Sequence, residues 1–385
     1  MKSNYEVISA TEIYYLDPQA SGVGVNLVNR IVKHPNLAKL MFLKGLFNQG
    51  QIRPLIYCGS SFPLFKIKMP VLVNRLFSFL EFLIWKKHNK IKGKVFFSIG
   101  DSNKRKIIII DSNTEFRNKY DFLKKLQKEK NVQFLFYTTH LHARTNEKIK
   151  LFQQFPYALF FSESFPDISK EILKGIINNQ NFILCPYVIK DYFMKCASPD
   201  SNEILSNKVL VVGSIVRSDD KFEKHLLENF KVKLIHPLRV ELFDKKNDIN
   251  KVFHNVAGEY TADRKGSEYF KLDMTKVYTQ YKYFICPEDA IGMPSGNMVE
   301  GMALGSIYFG NENHGYLKDY VMKPWVHYIP HNGTIDGIEA SYHKVESNED
   351  LYNSIRHNGM NFAVQNFNMD KVLETFISNI KNKLA

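Results

Sequence analysis

Short apolar runs alternate with amphipathic stretches along the first half of the chain. The runs are typical of β-strands, and the stretches between them are typical of helices. Because most runs are apolar at consecutive positions, they favour a parallel sheet that is covered on both faces. The predicted strands lie at residues 6–16, 53–59, 94–100, 106–111, 132–139, 157–163 and 181–187, with helices at 25–34, 114–129 and 165–179.

The pattern breaks at residues 194–208, a polar stretch with proline, serine and asparagine that is typical of a linker. A strand–turn–helix pattern restarts at 209–230, and further apolar runs continue it at 232–238, 282–288 and 306–310. With 385 residues, of which 44% are apolar, the chain can form two cores. We therefore predict an α/β domain at 1–195, a second at 205–347, and C-terminal helices at 348–385 that pack back across the domains.

The formal net charge of +13 and the isoelectric point of about 9.3 favour an anionic partner. A nucleotide, a phosphorylated lipid, an anionic membrane surface and a nucleic acid all fit this charge. The basic residues are dispersed rather than arranged in a stripe, and no nucleic-acid-binding motif is present. We therefore expect no nucleic-acid partner and keep a basic nucleic-acid-binding protein only as an alternative.

Residues 71–85 form the most apolar stretch, but they are too few for the ~20 residues of a membrane span. We predict a buried helix with a basic rim, and docking of this helix on anionic lipid is the alternative. The first residues lack the apolar core of a signal peptide, and the four cysteines show no C-x-x-C spacing. We expect a cytoplasmic protein with reduced thiols, and peripheral binding to the inner membrane stays open.

In open parallel sheets, ligands bind beyond the carboxyl ends of the strands, so residues just after each apolar run are candidates. Gly213 and Ser214 follow the first run of the second domain, and Arg217 and Lys221 come a turn later. A glycine-containing turn before a helix offers N–H groups to phosphate, and the two basic side chains add charge against a diphosphate. A plain surface turn is the alternative interpretation.

Other strand-end residues are weaker candidates. His236 and Arg239 follow the next run as nucleotide ligands, although a structural role fits His236 equally well. In the first domain the candidates are Gly22, Gly24, Asp111, His140, His142 and Glu163. Because the two histidines have no third ligand nearby in the sequence, His140 is predicted as a hydrogen-bonding or acid–base group near a sugar, not as a metal ligand.

The most informative stretch is PSGNMVEGMALGSIYFG, residues 294–310, where a turn of small residues leads into a short helix and an apolar strand. The loop at 289–297 is predicted to present N–H groups to phosphate. It contains the candidate phosphate-binding residues Ser295, Gly296 and Asn297. Glu300 lies on the inward face of the helix, where a carboxylate can accept both hydroxyls of a ribose. The alternative is a helix N-terminal charge that the dipole stabilises.

The order of these motifs resembles the GT-B glycosyltransferases. The matching elements, in chain order, are SGVG, LFYTTH, ILCPYVIKDYF, VLVVGSIVRSDDK and PSGNMVEGMALGSIYFG. The resemblance covers most of the chain and implies an α/β fold of the GT-B type, with two Rossmann-like domains facing a central cleft. It also implies a saccharide or lipid-linked acceptor on the first domain and a nucleotide-sugar donor on the second.

The acids of the predicted donor site depart from the commonest retaining GT-B enzymes. Those enzymes carry a second acid at the position that Gly292 occupies in this chain. Glu288 and Asp289 lie a few residues earlier, and the resemblance implies that one of them, or His140, assists at the reacting sugar.

Two further similarities leave the donor open. The spacing Ser295-x-Asn297-x-x-Glu300 is similar to that of exostosin-like and fucosyltransferase-like enzymes. The dipeptide His236–Pro237 is similar to one in capsule-type transferases that use CMP-activated acidic sugars, including Kdo. UDP-, GDP- and CMP-sugars therefore all remain candidates, with either stereochemical outcome.

By resemblance, the chain is a glycosyltransferase that needs neither a metal ion nor a cofactor, because basic side chains and helix dipoles neutralise the leaving phosphate. The sequence contains no Asp-x-Asp, the usual metal signature of the other large glycosyltransferase fold. Its richness in lysine, asparagine, isoleucine and phenylalanine fits an AT-rich bacterial genome, and the implied pathway is capsule or lipopolysaccharide synthesis. A GT-B-shaped nucleotide-sugar epimerase or phosphorylase is the alternative enzyme class.

Overall fold

The structure is a computed structural model, which describes residues 11–16, 45–46, 50, 53–55, 63–64, 67–68, 104–112, 120–128, 131–138, 141, 145–197, 205–217, 219–259 and 268–384. The elements predicted at 25–34, 71–85 and 94–100 lie outside these residues. Gly22, Gly24, His140 and His142 lie outside them as well.

The chain divides into two compact units. The first comprises Met1–Ser162, Gly175–Ile183 and Thr375–Ala385. The second comprises Glu163–Lys174 and Leu184–Glu374. The domain limits predicted from the sequence follow a different division of the chain and stay a prediction.

The first sheet has six strands in the order β2-β1-β5-β6-β7-β8. Its pairs from β2 to β7 are parallel, while β3 and β4 form a separate antiparallel pair. The elements of this region are β1 (Thr11–Leu16), β2 (Arg53–Leu55), β3 (Pro63–Leu64), β4 (Ile67–Lys68), β5 (Arg105–Asp111), α1 (Tyr120–Gln127), β6 (Val132–Tyr137), α2 (Thr145–Gln153), β7 (Leu159–Ser162), α3 (Asp167–Ile172) and β8 (Phe182–Leu184).

The first sheet is buried on both faces, as the continuous apolar runs predict. All residues from Ile107 to Ile110 in β5 are fully buried. On one face Phe136 packs against Phe152 of α2, with ring centroids 5.5 Å apart. On the other face Tyr137 stacks on Phe161 at 5.0 Å.

The second unit contains a five-stranded parallel sheet in the order β11-β9-β13-β14-β15. The elements from residue 191 onward are α4 (Asp191–Cys196), β9 (Ser206–Val211), β10 (Ser214–Ile215), α5 (Asp220–Phe230), α6 (Pro237–Asp244), β11 (Phe253–Asn255), β12 (Gly258–Glu259), a 3-10 helix (Glu268–Lys271), α7 (Met274–Tyr278), β13 (Tyr281–Ile285), α8 (Asn297–Ala303), β14 (Ile307–Asn311), α9 (Tyr316–Asp319), β15 (Ile329–His331), α10 (Ile335–Glu346), α11 (Glu349–Asn366) and α12 (Met369–Leu384).

Alternating residues of the second sheet enter two separate cores. Val209 and Val211 of β9 pack with α6, α10 and α11 on one face. Leu210 of β9 and Phe284 of β13 pack with α8 and α9 on the other. The side-chain period of two therefore covers both faces with helices, as a buried parallel sheet requires.

The strand predicted at 232–238 is wrong. Residues 232–236 form no strand, and Pro237 begins α6, because a proline is well suited to the first position of a helix. The carbonyl of Ile235 instead accepts the N–H of Ala290 at 2.7 Å. The outer position of the sheet belongs to β11, a strand that the sequence pattern did not predict.

The predicted helical tail is confirmed with one interruption. Helix α11 ends at Asn366 and α12 begins at Met369. The side chain of Asn368 accepts the N–H of Lys371 at 2.9 Å and so caps the second helix. In the described parts of the chain, no helix combines the length and the apolar character needed to span a membrane.

Candidate active site

The strand order of the second sheet reverses beside β9, which has β11 on one side and β13 on the other. The N–H of Val212 donates to the carbonyl of Ile285 at 3.0 Å, which continues the pairing of β9 and β13 past their ends. Gly213 and Cys286 follow directly. Such a reversal, at the carboxyl edge of a parallel sheet, is where open α/β sheets bind ligands.

Arg239 is buried at this edge and joins the turns that follow β9 and β13. Its guanidinium donates to the carbonyl of Ser214 at 2.7 Å and to the carbonyl of Pro287. A side chain at position 213 would lie 2.8 Å from the guanidinium carbon, and Gly213 also has φ +121°. Glycine is therefore required at 213, and these bonds of Arg239 hold the two turns together.

The turn after β9 continues as a strand before any helix begins. Ser214 belongs to β10, which pairs in parallel with β12. Helix α5 follows, and the carboxylate of Asp219 caps it by accepting the N–H of Phe222 at 2.8 Å. The helix start that was predicted to face phosphate thus carries an acidic cap, and Lys221 is exposed in its first turn.

Arg217 lies on the surface of the second unit with both ends of its guanidinium in ion pairs. Its Nε donates to Glu259 at 2.8 Å, and its Nη2 donates to Asp244 at 2.6 Å. The hydrogen bonds to Asp244 and Glu259 raise the pKa of Arg217 above its already high ordinary value. Its charge is therefore matched by two carboxylates of the same unit.

Glu300, the acid in the first turn of α8, is only 3% exposed. Its Oε1 lies 2.5 Å from the Nζ of Lys190, whose side chain is 29% exposed. Burial raises the pKa of Glu300, and Lys190 opposes that rise. Burial would lower the pKa of Lys190, but Glu300 outweighs it and the pKa is raised. The pair is therefore a buried ion pair at the carboxyl edge.

The loop before α8 is held by the aromatic side chain of Tyr187 and by a hydrogen bond of its own. The hydroxyl of Tyr187 donates to the carbonyl of Pro294 at 3.1 Å, and its ring lies against Gly296. Gly296 occupies the N-cap position of α8 without a side-chain cap bond. The hydroxyl of Ser295 accepts the N–H of Asn297 at 3.3 Å. The backbone of this loop is thus held in one geometry.

The thiol of Cys286 connects the predicted residues of this edge. Asn297 approaches it at 3.6 Å and Arg239 at 3.8 Å. Asn297 also donates to the hydroxyl of Tyr269 at 3.3 Å. Burial raises the pKa of Tyr269 to about 12, so this hydroxyl is neutral at physiological pH. Asn297 and Arg239, far apart in the sequence, are therefore neighbours.

Glu288 and Asp289 are both buried in the loop after β13. Glu288 accepts hydrogen bonds from the hydroxyls of Tyr308, at 3.0 Å, and Tyr316. Asp289 accepts the N–H groups of Ile291, at 3.1 Å, and Met293, at 2.9 Å, through one oxygen. Burial raises the pKa of Asp289 to about 7. Glu288 is thus held by two phenols, while Asp289 shapes its own loop.

Two histidines that the sequence did not single out lie near Glu288. The Nε2 of His314 is 4.0 Å from its carboxylate. His331, the last residue of β15, is buried, and burial lowers its pKa to about 4. Its Nδ1 accepts the N–H of Gly333 at 3.0 Å, so Nε2 carries the proton of the neutral ring. Because β15 has only three residues, its run is too short for the strand-end rule to find His331.

The remaining candidates among the described residues are His236, Asp111 and Glu163. His236 is half-buried at the N-cap position of α6, and its carbonyl accepts the N–H of Val240 at 3.0 Å. Asp111 is the last residue of β5, and buried Glu163 follows β7. His140 is outside the described residues and its role stays a prediction. Among the described residues, no group of three or more histidine, cysteine and acidic side chains is placed to hold a metal ion.

No protein-family model and no curated protein sequence matches the chain. The fold is nevertheless that of known structures. HepE from Anabaena in complex with UDP aligns with a TM-score of 0.50 at 10% identity, over 96% of this chain and 100% of that one. This likeness, with the two parallel sheets, confirms the predicted α/β fold class of the GT-B type.

Two other solved structures are similar along the whole chain. A glycosyltransferase from Rickettsia africae has a TM-score of 0.48 at 12% identity, over 97% of this chain and 98% of that one. Sucrose-phosphate synthase from Thermosynechococcus elongatus has a TM-score of 0.49 at 11% identity, over 97% and 99%.

Proposed function

We propose that this protein is a glycosyltransferase that moves a sugar from a nucleotide-sugar donor to an acceptor hydroxyl. The proposal rests mainly on the buried, ionically paired Glu300 at the carboxyl edge of the second sheet. A carboxylate beside the strand reversal suits a ribose, which offers two hydroxyls to one acceptor group. The fold supports the same conclusion, since the similar HepE structure contains UDP.

In the proposed reaction, the acceptor oxygen bonds to the anomeric carbon of the sugar while the bond from that carbon to the phosphate oxygen breaks. The proton of the acceptor hydroxyl passes to a base, for which His140, Glu288 and Asp289 are the candidates. The nucleotide leaves with its negative charge, which must be stabilised at the site. We assign the ribose to Glu300 and the phosphates to the N–H groups of Ser295 and Gly296. The N–H groups at 289–293 and at 297 donate to acceptors of the protein itself, so the prediction that the whole loop presents them to phosphate is wrong. Asp289 accepts two N–H groups earlier in this loop and so fixes the backbone that leads to Ser295.

The finer assignment is a proposal as well. The acceptor is a saccharide or a lipid-linked saccharide of bacterial surface polysaccharide synthesis, capsule or lipopolysaccharide. The motif resemblance supports this choice, and the net charge of +13 suits an acceptor at an anionic inner-membrane surface. Transfer without a bound metal is supported by the motif resemblance alone, and UDP-, GDP- and CMP-sugars all remain donors to test.

Binding of nucleotides to the purified protein tests the proposal directly. Thermal unfolding is measured with UDP, GDP, CMP and their sugar conjugates. A ligand at a hundredfold excess over its Kd stabilises the native state by about 2.7 kcal/mol. We expect one base class to raise the Tm of the wild type and Glu300→Gln to lose most of that rise. Release of the matching nucleotide should then depend on an added saccharide acceptor.

The matched control is Glu346→Gln. Glu346 is a carboxylate that, like Glu300, is paired with a lysine: Lys282 lies 3.6 Å away. It is only partly buried, and it lies at the end of α10. This variant should keep the full nucleotide-induced rise in Tm. No stabilisation of the wild type by any nucleotide would exclude the proposed function. An unchanged rise in Glu300→Gln would exclude Glu300 from the donor site.

A further inference from the structure

Lys190 is the cation that directly adjoins the proposed ribose-binding carboxylate. It stands at the N-cap position of α4, and the neighbouring N–H of Ile189 donates to the carbonyl of Phe367 at 2.8 Å. The ammonium lies 2.5 Å from Glu300 and 5.9 Å and 5.8 Å from the ring centroids of Tyr192 and Phe193. The lysine is thus held by its backbone, a carboxylate and two aromatic rings.

The arginines predicted for the donor site already have partners within the same unit. Arg217 is paired with two surface carboxylates, and the guanidinium of Arg239 donates to two backbone carbonyls. Lys190 was not predicted, because it lies before the second domain of the sequence-based division. It nevertheless shares the carboxyl edge with Glu300.

We propose that Lys190 is a positioning residue of the donor site, which keeps Glu300 ionised and fixes its carboxylate as a double acceptor for the ribose hydroxyls. This inference rests on the proposed function. A carboxylate without a proton can accept both hydroxyls, whereas a protonated carboxyl would present a donor to one of them. Burial without a counter-charge raises the pKa of a carboxyl group strongly, which favours its protonated form.

The other titratable groups that face Glu300 do not replace the lysine. They are the hydroxyls of Tyr192, Tyr269 and Tyr278. Burial raises the pKa of all three, so they are neutral over the range in which Glu300 would titrate. In the described parts of the second unit, Lys190 is the cation within ion-pair distance of this carboxylate.

The test replaces Lys190 by methionine and by arginine. Binding of uridine, guanosine and cytidine reports on the ribose, and binding of UDP, GDP and CMP adds the phosphates. At neutral pH we expect Lys190→Met to bind the preferred nucleoside at least about tenfold more weakly, the range for a lost hydrogen bond to a charged group. Its affinity should recover as the pH is raised and Glu300 ionises, whereas the wild type, in which Lys190 favours the ionised carboxylate, should change less.

Lys190→Arg should bind the nucleoside nearly as well as the wild type, because it keeps the charge. The matched control is Lys282→Met, which removes the lysine of the Lys282–Glu346 pair and a similar contact to the ring of Tyr352 at 5.0 Å. That control should leave nucleoside binding unchanged. If Lys190→Met weakened nucleotides but not nucleosides, at every pH, Lys190 would contact phosphate and the proposed role would be wrong.

Infrared difference spectra give a readout that does not need a bound nucleotide. The spectrum of Lys190→Met minus that of the double variant with Glu300→Gln should show a protonated carboxyl at neutral pH. The wild type minus Glu300→Gln should not show it. Absence of the band in the first difference would overturn the inference alone, while a wild type that binds no nucleotide would overturn the proposed function instead.

Discussion

Charged side chains buried in the second unit are matched to partners that fix their geometry. Glu300 forms an ion pair with Lys190, and Arg239 donates hydrogen bonds to two backbone carbonyls. Glu288 accepts hydrogen bonds from two tyrosine hydroxyls. Removing one partner of such a group leaves an uncompensated charge, which costs about 3–5 kcal/mol for a buried ion pair. The carboxyl edge is therefore pre-organised by its own residues, as the proposed donor site requires.

Asp289 should make stability fall as the pH rises. Its pKa is about 7 in the folded state, above the ordinary value of 3.8, so the folded protein binds more protons than the unfolded chain between these values. Asp289→Asn keeps an oxygen acceptor for the N–H groups of Ile291 and Met293 but removes the titration. The free energy of unfolding of the wild type, relative to this variant, should decrease from about pH 4 to pH 7.

The comparison must be made between the two proteins, because His331 acts in the opposite direction. Its folded pKa of about 4 lies below the ordinary 6.5, so it contributes stability that is lost as the pH falls through this range. Urea unfolding of the wild type and of Asp289→Asn at matched pH values separates the two effects. Parallel curves for the two proteins would show that Asp289 does not titrate in this range.

At the site, the sequence could predict residues whose role follows from local spacing. Glu300 was found because a small-residue turn, an inward helix position and a strand succeed one another within one motif. Lys190 could not be found in this way, since its partner lies far along the chain and only the folded second unit brings them together. Arg239 was predicted as a nucleotide ligand after a strand that does not form, and its bonds to backbone carbonyls are invisible in a sequence.

At the scale of elements, long apolar runs predicted the central strands closely. β5, β13 and β14 lie within the runs at 106–111, 282–288 and 306–310 to within a residue or two. The outer strands β11 and β15 have three residues each, too few for a recognisable run. The pairing of the sheet, and not the local pattern, decides that these short segments are strands.

Helix α8 approaches β13 closely, and this approach sets the position of Glu300. A side chain at position 301 would lie 2.5 Å from the ring of Phe284, which is fully buried. We expect Gly301→Ala to destabilise the protein by about 1–3 kcal/mol through overpacking, although alanine is the better helix former. Urea unfolding measures this loss, and nucleotide-induced stabilisation should weaken as Glu300 shifts.

Gly315→Ala is the control for this prediction. Nothing lies within 4 Å of a side chain at position 315, and its φ of −67° suits any residue. A change within about 0.5 kcal/mol is expected there. Phe284→Leu should recover part of the loss in Gly301→Ala, because it shortens the ring-bearing side chain that the new methyl group meets. A fully stable Gly301→Ala would mean that α8 can move away from β13.

At the scale of the whole molecule, the last helix belongs to both compact units. Residues of α12 up to Glu374 belong to the second unit, and those from Thr375 belong to the first. In the first unit Phe376 packs against Phe161 of β7 at 5.1 Å, and Arg105 donates to the carbonyl of Leu384 at 2.7 Å. The C-terminal part of α12 therefore packs in the core of the first unit.

The division of α12 predicts that neighbouring substitutions in one helix destabilise different units. Phe376→Ala should cost about 3–5 kcal/mol and Leu373→Ala about 2–5 kcal/mol, because both side chains are buried. Hydrogen exchange reports local stability, so Phe376→Ala should speed exchange in β7 of the first unit, whereas Leu373→Ala should speed it in the second unit. Both variants remove a buried side chain from α12. If either one unfolded the whole helix, hydrogen exchange would become faster in both units. Faster exchange in both units of either variant would contradict the division of α12 at Glu374 and Thr375. Faster exchange in a different unit for each variant would support it.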